Sequence, residues 1–169
     1  MGMLNDYFTA PSDEDAALAL DLPGGPGAPV ESPPVRGMLF GSTPAATPGP
    51  SRFPTVPGYR IDPFIQIATL EALLTGTTYD AVRAARSGEQ PVALSDDGDC
   101  VVLRLPDTLG AALADASDAR LAEVAVPWSR TDELAGTDPG ELHAFLVPLA
   151  AVARAGRARG EALYCWTAV

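Results

Sequence analysis

The chain contains no lysine. All eleven of its basic residues are arginine, which excludes Schiff-base chemistry, the P-loop lysine of nucleotide-binding loops and the lysine of protein kinases. There is a single histidine, His143, so acid–base chemistry that needs imidazole has one candidate. Only two cysteines occur, Cys100 and Cys165. They make neither a disulfide framework nor a zinc-binding spacing, and each falls in an apolar strand pattern that predicts a buried free thiol. Gly-x-Gly-x-x-Gly, His-Glu-x-x-His, Gly-x-Ser-x-Gly and Cys-x-x-Cys are all missing, so no cofactor and no metal site is expected. Long unbroken apolar runs are missing too, and the opening residues lack the positive start and apolar block of a secretion signal. A cytoplasmic protein without membrane contact is the expectation. Asp6 stands where myristoylation needs Ser or Thr.

What is abundant is acid. Twenty-two Asp and Glu against eleven Arg give a net charge of −11, which argues against wrapping nucleic acid and allows a basic partner. The arginine-only usage, with much Ala, Gly and Pro, suggests a GC-rich bacterial genome. At 169 residues with 47% hydrophobic content, the chain fits one domain with a substantial core.

Residues 138–169 organise the rest. From Pro139 the apolar residues Leu142, Phe145, Leu146, Leu149, Val152 and Ala153 follow one stripe of a helix. Asp138 can cap its start, and arginines crowd its end before Gly160. At Pro148 either one helix bends, or a first helix stops near Val147 and Pro148 opens a second. A strand over Ala162 to Ala168 follows. Leu4 to Thr9 predicts another strand, and Ser12 caps a short helix that begins Asp13-Glu14-Asp15.

Residues 23–60 hold ten of the seventeen prolines and seven glycines, a composition that sustains neither helix nor interior strand. They are expected to form a long loop, mobile around Pro23 to Pro34. Met38-Leu39-Phe40, Phe53 and Val56 through Tyr59 would pin it to the body, and a lid or partner-binding role is open. Ile61-Asp62-Pro63 caps and opens a helix that carries Phe64, Ile67, Ala68, Leu70, Leu73 and Leu74 up to Gly76, and Gly76-Thr77-Thr78 stops it and caps a short second helix. Pro91 to Leu105 predicts a hairpin turning at Ser95-Asp96-Asp97-Gly98-Asp99, where Asp-Gly is a turn signal and the register of an EF-hand loop is missing. Pro106-Asp107-Thr108 and Ser117 cap two further helices, the second ended by Pro127.

Trp128-Ser129-Arg130-Thr131-Asp132-Glu133-Leu134 is the densest mixture of aromatic, hydroxyl and charged side chains in the chain. Two readings stand side by side. In the first, Trp128 fills a groove, Thr131 caps a helical turn and Arg130 pairs with a nearby acid. In the second, Trp128, Arg130 and Asp132 stand at the mouth of a pocket with Tyr164 or Trp166 on its wall. Tyr164 and Trp166 share one face of their strand, and Leu163, Cys165 and Thr167 the other. His143 lies roughly 120° from the centre of its helix stripe at about 100° per residue, on a flank or at the surface. A triad with Ser129 or Cys165 as nucleophile would need the fold to bring them to it.

Met1-Gly2-Met3 with Tyr7, the helix from Ile61-Asp62-Pro63 to Leu74-Thr75-Gly76, the Val126-Pro127-Trp128 step and the ending from Ala155 to Trp166 together resemble small uncharacterised actinobacterial proteins. More distantly they resemble the YfbM-like bacterial family of unknown function. The resemblance implies an α+β fold with a small sheet covered by helices, and it carries over no catalytic residue.

The expectation is therefore a single α+β domain. Its small, mostly antiparallel sheet is built from the N-terminal segment, the hairpin and the C-terminal strand, and is covered by several helices. Two functional readings follow. One is a non-catalytic protein-binding module, of the immunity or antitoxin-like kind, that meets a basic protein partner. The other is a small-molecule binder or minor enzyme with its pocket near Trp128 to Asp132. An exposed edge strand or the Met38-Leu39-Phe40 patch offers a homodimer contact.

Overall fold

The computed structural model describes residues 3–29, 51–58, 60–88 and 90–168. The Met38-Leu39-Phe40 and Tyr59 contacts expected of the loop lie outside them, as does Met1-Gly2.

Strand β1 (Leu4–Ala10) is followed by α1 (Asp13–Ala17), a 3-10 turn (Leu18–Asp21), and β2 (Thr55–Pro57). Then come α2 (Gln66–Thr75), α3 (Tyr79–Ala85), β3 (Ala93–Leu94), β4 (Cys100–Arg104), α4 (Asp107–Asp115), α5 (Asp118–Trp128), a 3-10 turn (Asp132–Leu134), α6 (Pro139–Arg159) and β5 (Ala162–Ala168). The strands form one antiparallel sheet in the order β2-β1-β5-β4-β3. The fold is α+β, with the two ends of the chain paired at the centre from Leu4↔Ala168 to Ala10↔Ala162. β2 adds an edge strand from the proline-rich segment. Pro57, which has no N–H to donate, is tolerated there because an edge strand leaves one side unpaired.

Local chemistry explains the elements. The Asp138 carboxylate accepts from Gly140 N–H at 2.7 Å, and Gly160 ends α6 in the left-handed conformation at φ 74°. Between these stops α6 runs unbroken through Pro148, whose exposed position leaves the freed carbonyl of exposed Ala144 facing water. The late arginines of α6 do more than meet their own helix dipole. Arg154 donates to the carbonyls of Ala114 and Ala116 at 3.0 and 3.1 Å, closing the end of α4, and Arg157 pairs with Asp115 at 2.7 Å. Pro127 does not end α5; it sits inside the last turn, which continues through Trp128. Thr131 does not cap by its side chain either, since its hydroxyl donates back to the Trp128 carbonyl at 3.0 Å.

Alternation along β1 and β5 sends side chains to both faces, and both are covered. On one face Tyr7, Leu163 and Cys165 join a core with Ile67, Leu109, Trp128 and Leu146 from the helices. On the other, Phe8, Tyr164, Trp166 and Val102 pack with Phe53, Ala16 and Ala19. The Phe8 ring lies 5.0 Å from Phe53 and 5.6 Å from Tyr164, centroid to centroid. α6 comes so close to β1 that a Cβ at Gly156 would stand 2.6 Å from Thr9 Cγ2, so glycine is required there by space. Gly25 and Pro26 are buried, with Gly25 against the Trp166 ring. Gly25 and Pro26 thus cover part of the sheet, while residues 30–34 of the stretch expected to be mobile lie outside the described residues.

Candidate functional site

The sequence singles out Trp128, Arg130, Asp132, Tyr164 and Trp166, and the fold does not gather them into one pocket. Trp128 is fully buried in the helical core, and its indole N–H donates to the Gln66 carbonyl at 3.0 Å. Arg130 and Asp132 are exposed on the turn that follows. No ion pair involves Arg130 among the described residues. Tyr164 and Trp166 lie on the opposite face of the sheet, separated from Trp128 by the strands themselves. There the Tyr164 hydroxyl donates to Asp13 Oδ1 at 2.7 Å, while Arg104 holds the same carboxylate at 3.3 Å. Burial first, and then this carboxylate, push the ionisation of the Tyr164 phenol up.

Candidate nucleophiles and base are likewise apart. His143 Nε2 lies 3.0 Å from Asp118 Oδ1 at the surface between α5 and α6. The Ser129 hydroxyl donates to Val126 O at 2.9 Å. Cys165 is sealed beneath the helices, and burial pushes its thiol up to about 12, far from a reactive thiolate. No cluster of three or more His, Cys, Asp or Glu positioned for a metal occurs among the described residues, and none of their helices is long and apolar enough to cross a membrane.

Two features carry more than the sequence conveyed. The first is at the start of α2. The Asp62 carboxylate accepts from Phe64 and Ile65 N–H at 2.9 and 2.7 Å, so it caps as expected, but the turn it holds precedes the helix. Phe64 is therefore displayed at 57% exposure and Ile65 at 39%, rather than packed inward with the helix stripe. Arg86 steadies the turn from α3 by donating to Pro63 O at 3.3 Å. Gln66 ties it to the stretch after Trp128: its amide donates to Glu133 O at 3.3 Å, and its own carbonyl receives the Trp128 N–H. Two exposed apolar side chains thus adjoin a segment carrying Arg130, Asp132 and Glu133. The signal available in the sequence was Asp62-Pro63, which places a capped turn at Phe64 and Ile65.

The second feature is a pair of clefts. One, of about 350 Å³, opens between α4, α6 and the start of β5. Each charged side chain on its described lining already has a partner: Arg104 pairs with Asp107 and with Asp13, Arg157 with Asp115, and Glu161 with Arg159. The other, of about 460 Å³, lies over the β2–β1–β5 side of the sheet and includes Asp6 and Trp166. Asp6 escaped the sequence reading because a lone acid in a strand has no motif.

Compared with known proteins, the chain matches no family model, no curated protein and no solved structure.

Proposed function

We propose that the protein is a non-catalytic binding module that docks a protein partner on the surface formed by Phe64, Ile65 and the Arg130 to Glu133 turn. The observation that carries this reading is the exposure of Phe64 at 57% beside Ile65 at 39%, on a turn locked by Asp62, Arg86 and Gln66. Adjacent apolar side chains held rigidly in water contribute most to an interface when a partner pocket covers them, and aromatic and arginine side chains are the usual anchors.

The charge around them favours a basic partner. Asp62 precedes the apolar pair, and the adjoining stretch carries Asp132 and Glu133 with Arg130, while Arg86 reaches Pro63 O; much of the chain's remaining positive charge is engaged elsewhere, since Arg104, Arg120, Arg157 and Arg159 each pair with a carboxylate of the chain. With a net charge of −11, long-range attraction would speed encounter with a cationic protein and weaken as salt rises. An immunity- or antitoxin-like role against a basic protein, the YfbM-like resemblance and a cytoplasmic setting belong to the same proposal.

The test is affinity capture from native lysate at low and raised salt, with the wild-type chain and Phe64→Ser side by side. A partner retained by the wild type, released by salt and not retained by Phe64→Ser supports the reading. Equal capture by both proteins contradicts it.

A further inference from the structure

The cleft over β2, β1 and β5 is independent of that surface, being on the other side of the sheet. Asp6 and Trp166 are direct cross-strand partners, so their side chains rise side by side on one face, with Cβ atoms about 5 Å apart. Thr55 and Pro57 on β2 and Leu4 at the start of β1 continue the lining, and Gly24, Gly27, Ala28 and Pro29 form the far wall. A Cβ placed on Gly27 would lie 3.8 Å from Asp6 Oδ2 and 3.1 Å from Thr55 Cγ2, so the absence of a side chain there keeps space beside the carboxylate.

Among the described residues lining the cleft, Asp6 is the only charged side chain. Among the described residues no hydrogen bond or ion pair reaches its carboxylate, and its described neighbours in the wall offer only backbone, apolar side chains and the Thr55 hydroxyl, which donates to Phe53 O at 3.0 Å. Trp166, only 7% exposed, keeps its indole N–H buried without an acceptor. A buried N–H without an acceptor is uncommon in a packed structure, whereas the Asp6 carboxylate is half-exposed and open to solvent or ligand. A half-buried carboxylate with no counter-charge costs stability, and the burial raises its ionisation above the ordinary aspartate range.

We propose that this cleft binds a small organic cation, a primary ammonium on an alkyl or aryl frame, whose charge pairs with Asp6 and whose apolar body lies along Trp166 and Pro57. A lone carboxylate beside an indole in an otherwise uncharged hollow repels anions and offers sugars too few partners, whereas an ammonium gains a charge-assisted hydrogen bond and an aromatic wall. The volume, about 460 Å³, is that of a small-molecule site.

The test uses the full chain labelled with ¹⁵N and reads the two indole N–H resonances. Trp166 is the reporter; Trp128, bonded to Gln66 on the other face, is the control for the fold. The probes are n-hexylammonium, the neutral isostere hexan-1-ol, and a Gly-Lys-Gly peptide blocked at both ends. The proposal expects a saturable Trp166 shift with hexylammonium, binding about tenfold or more tighter than hexanol, and loss of that difference in Asp6→Asn with the Trp128 resonance unmoved. No saturable shift, equal binding of hexanol, or full retention in Asp6→Asn overturns it. The blocked peptide binding as tightly as hexylammonium overturns the assignment to a free small molecule, because the cation would then be a lysine side chain.

Discussion

The indole N–H of Trp128 donates to the backbone carbonyl of Gln66 at 3.0 Å, across 62 residues of sequence. This bond joins the end of α5 to the first turn of α2, and so holds the Arg130 to Glu133 turn next to Phe64 and Ile65. Burial and display are coupled here: the largest side chain in the helical core is also the clamp for the exposed surface above it.

Replacing Trp128 by Phe removes the donor and part of the buried volume. A loss of about 1–3 kcal/mol is expected, from one lost hydrogen bond to a carbonyl that keeps its helical donor, plus a partial cavity, read from urea unfolding midpoints. A variant as stable as the wild type would show that the clamp carries no weight.

Gly156→Ala pushes a methyl group into Thr9 and is expected to destabilise by about 1–3 kcal/mol. Thr9→Ser removes the atom that is struck first, Cγ2, so the double variant should recover part of that loss. The double-mutant cycle tests the contact itself: additive effects would place the strain elsewhere.

Burial raises the ionisation of both Cys165 and Tyr7 in the folded protein, Cys165 to about 12 from an ordinary 9.0. The folded state therefore holds these protons more tightly than the unfolded chain does. Their contribution to stability is complete below pH 9 and is lost as pH rises from about 9 toward 12. Thermal unfolding followed across that window should show a falling midpoint, with a shallower fall in Cys165→Ala; identical slopes would contradict the assignment.

For Asp6 the sign is the same and the consequence lies in another window. Its carboxyl is raised by burial, so the ionised form present at neutral pH costs stability that the protonated form does not. Asp6→Asn should raise the melting temperature at pH 7, and the gap should close as the pH falls through the aspartate range. An unchanged or lowered melting temperature at pH 7 would show that the carboxylate is satisfied in solution.

Much of this fold was legible because its stops are written in local chemistry. Asp138 and Gly160 bound α6, Ser117 and Thr78 start their helices, and the Asp97-Gly98 turn sets the hairpin. Strand order was not legible, since the pairing of β1 with β5 and of β1 with β2 depends on which side chains meet across the whole chain. Nor was the two-sided burial of the sheet: Tyr164 and Trp166 read equally well as a pocket wall or a second core, and only the packing of α1, Phe53 and Gly25 decides it. The Trp128 stretch stands out by its composition, but its members divide between core and surface. Phe64 fits a helical stripe by spacing and is turned outward by the Asp62 cap, a competition that periodicity alone does not resolve.

The binding reading is tested most directly by hydrogen–deuterium exchange of the protein alone and in complex with its captured partner. Slowed exchange is expected at residues 64–66 and 130–134 in the complex, with the sheet unchanged. Protection confined to other segments, with those two left at their free rates, would contradict it.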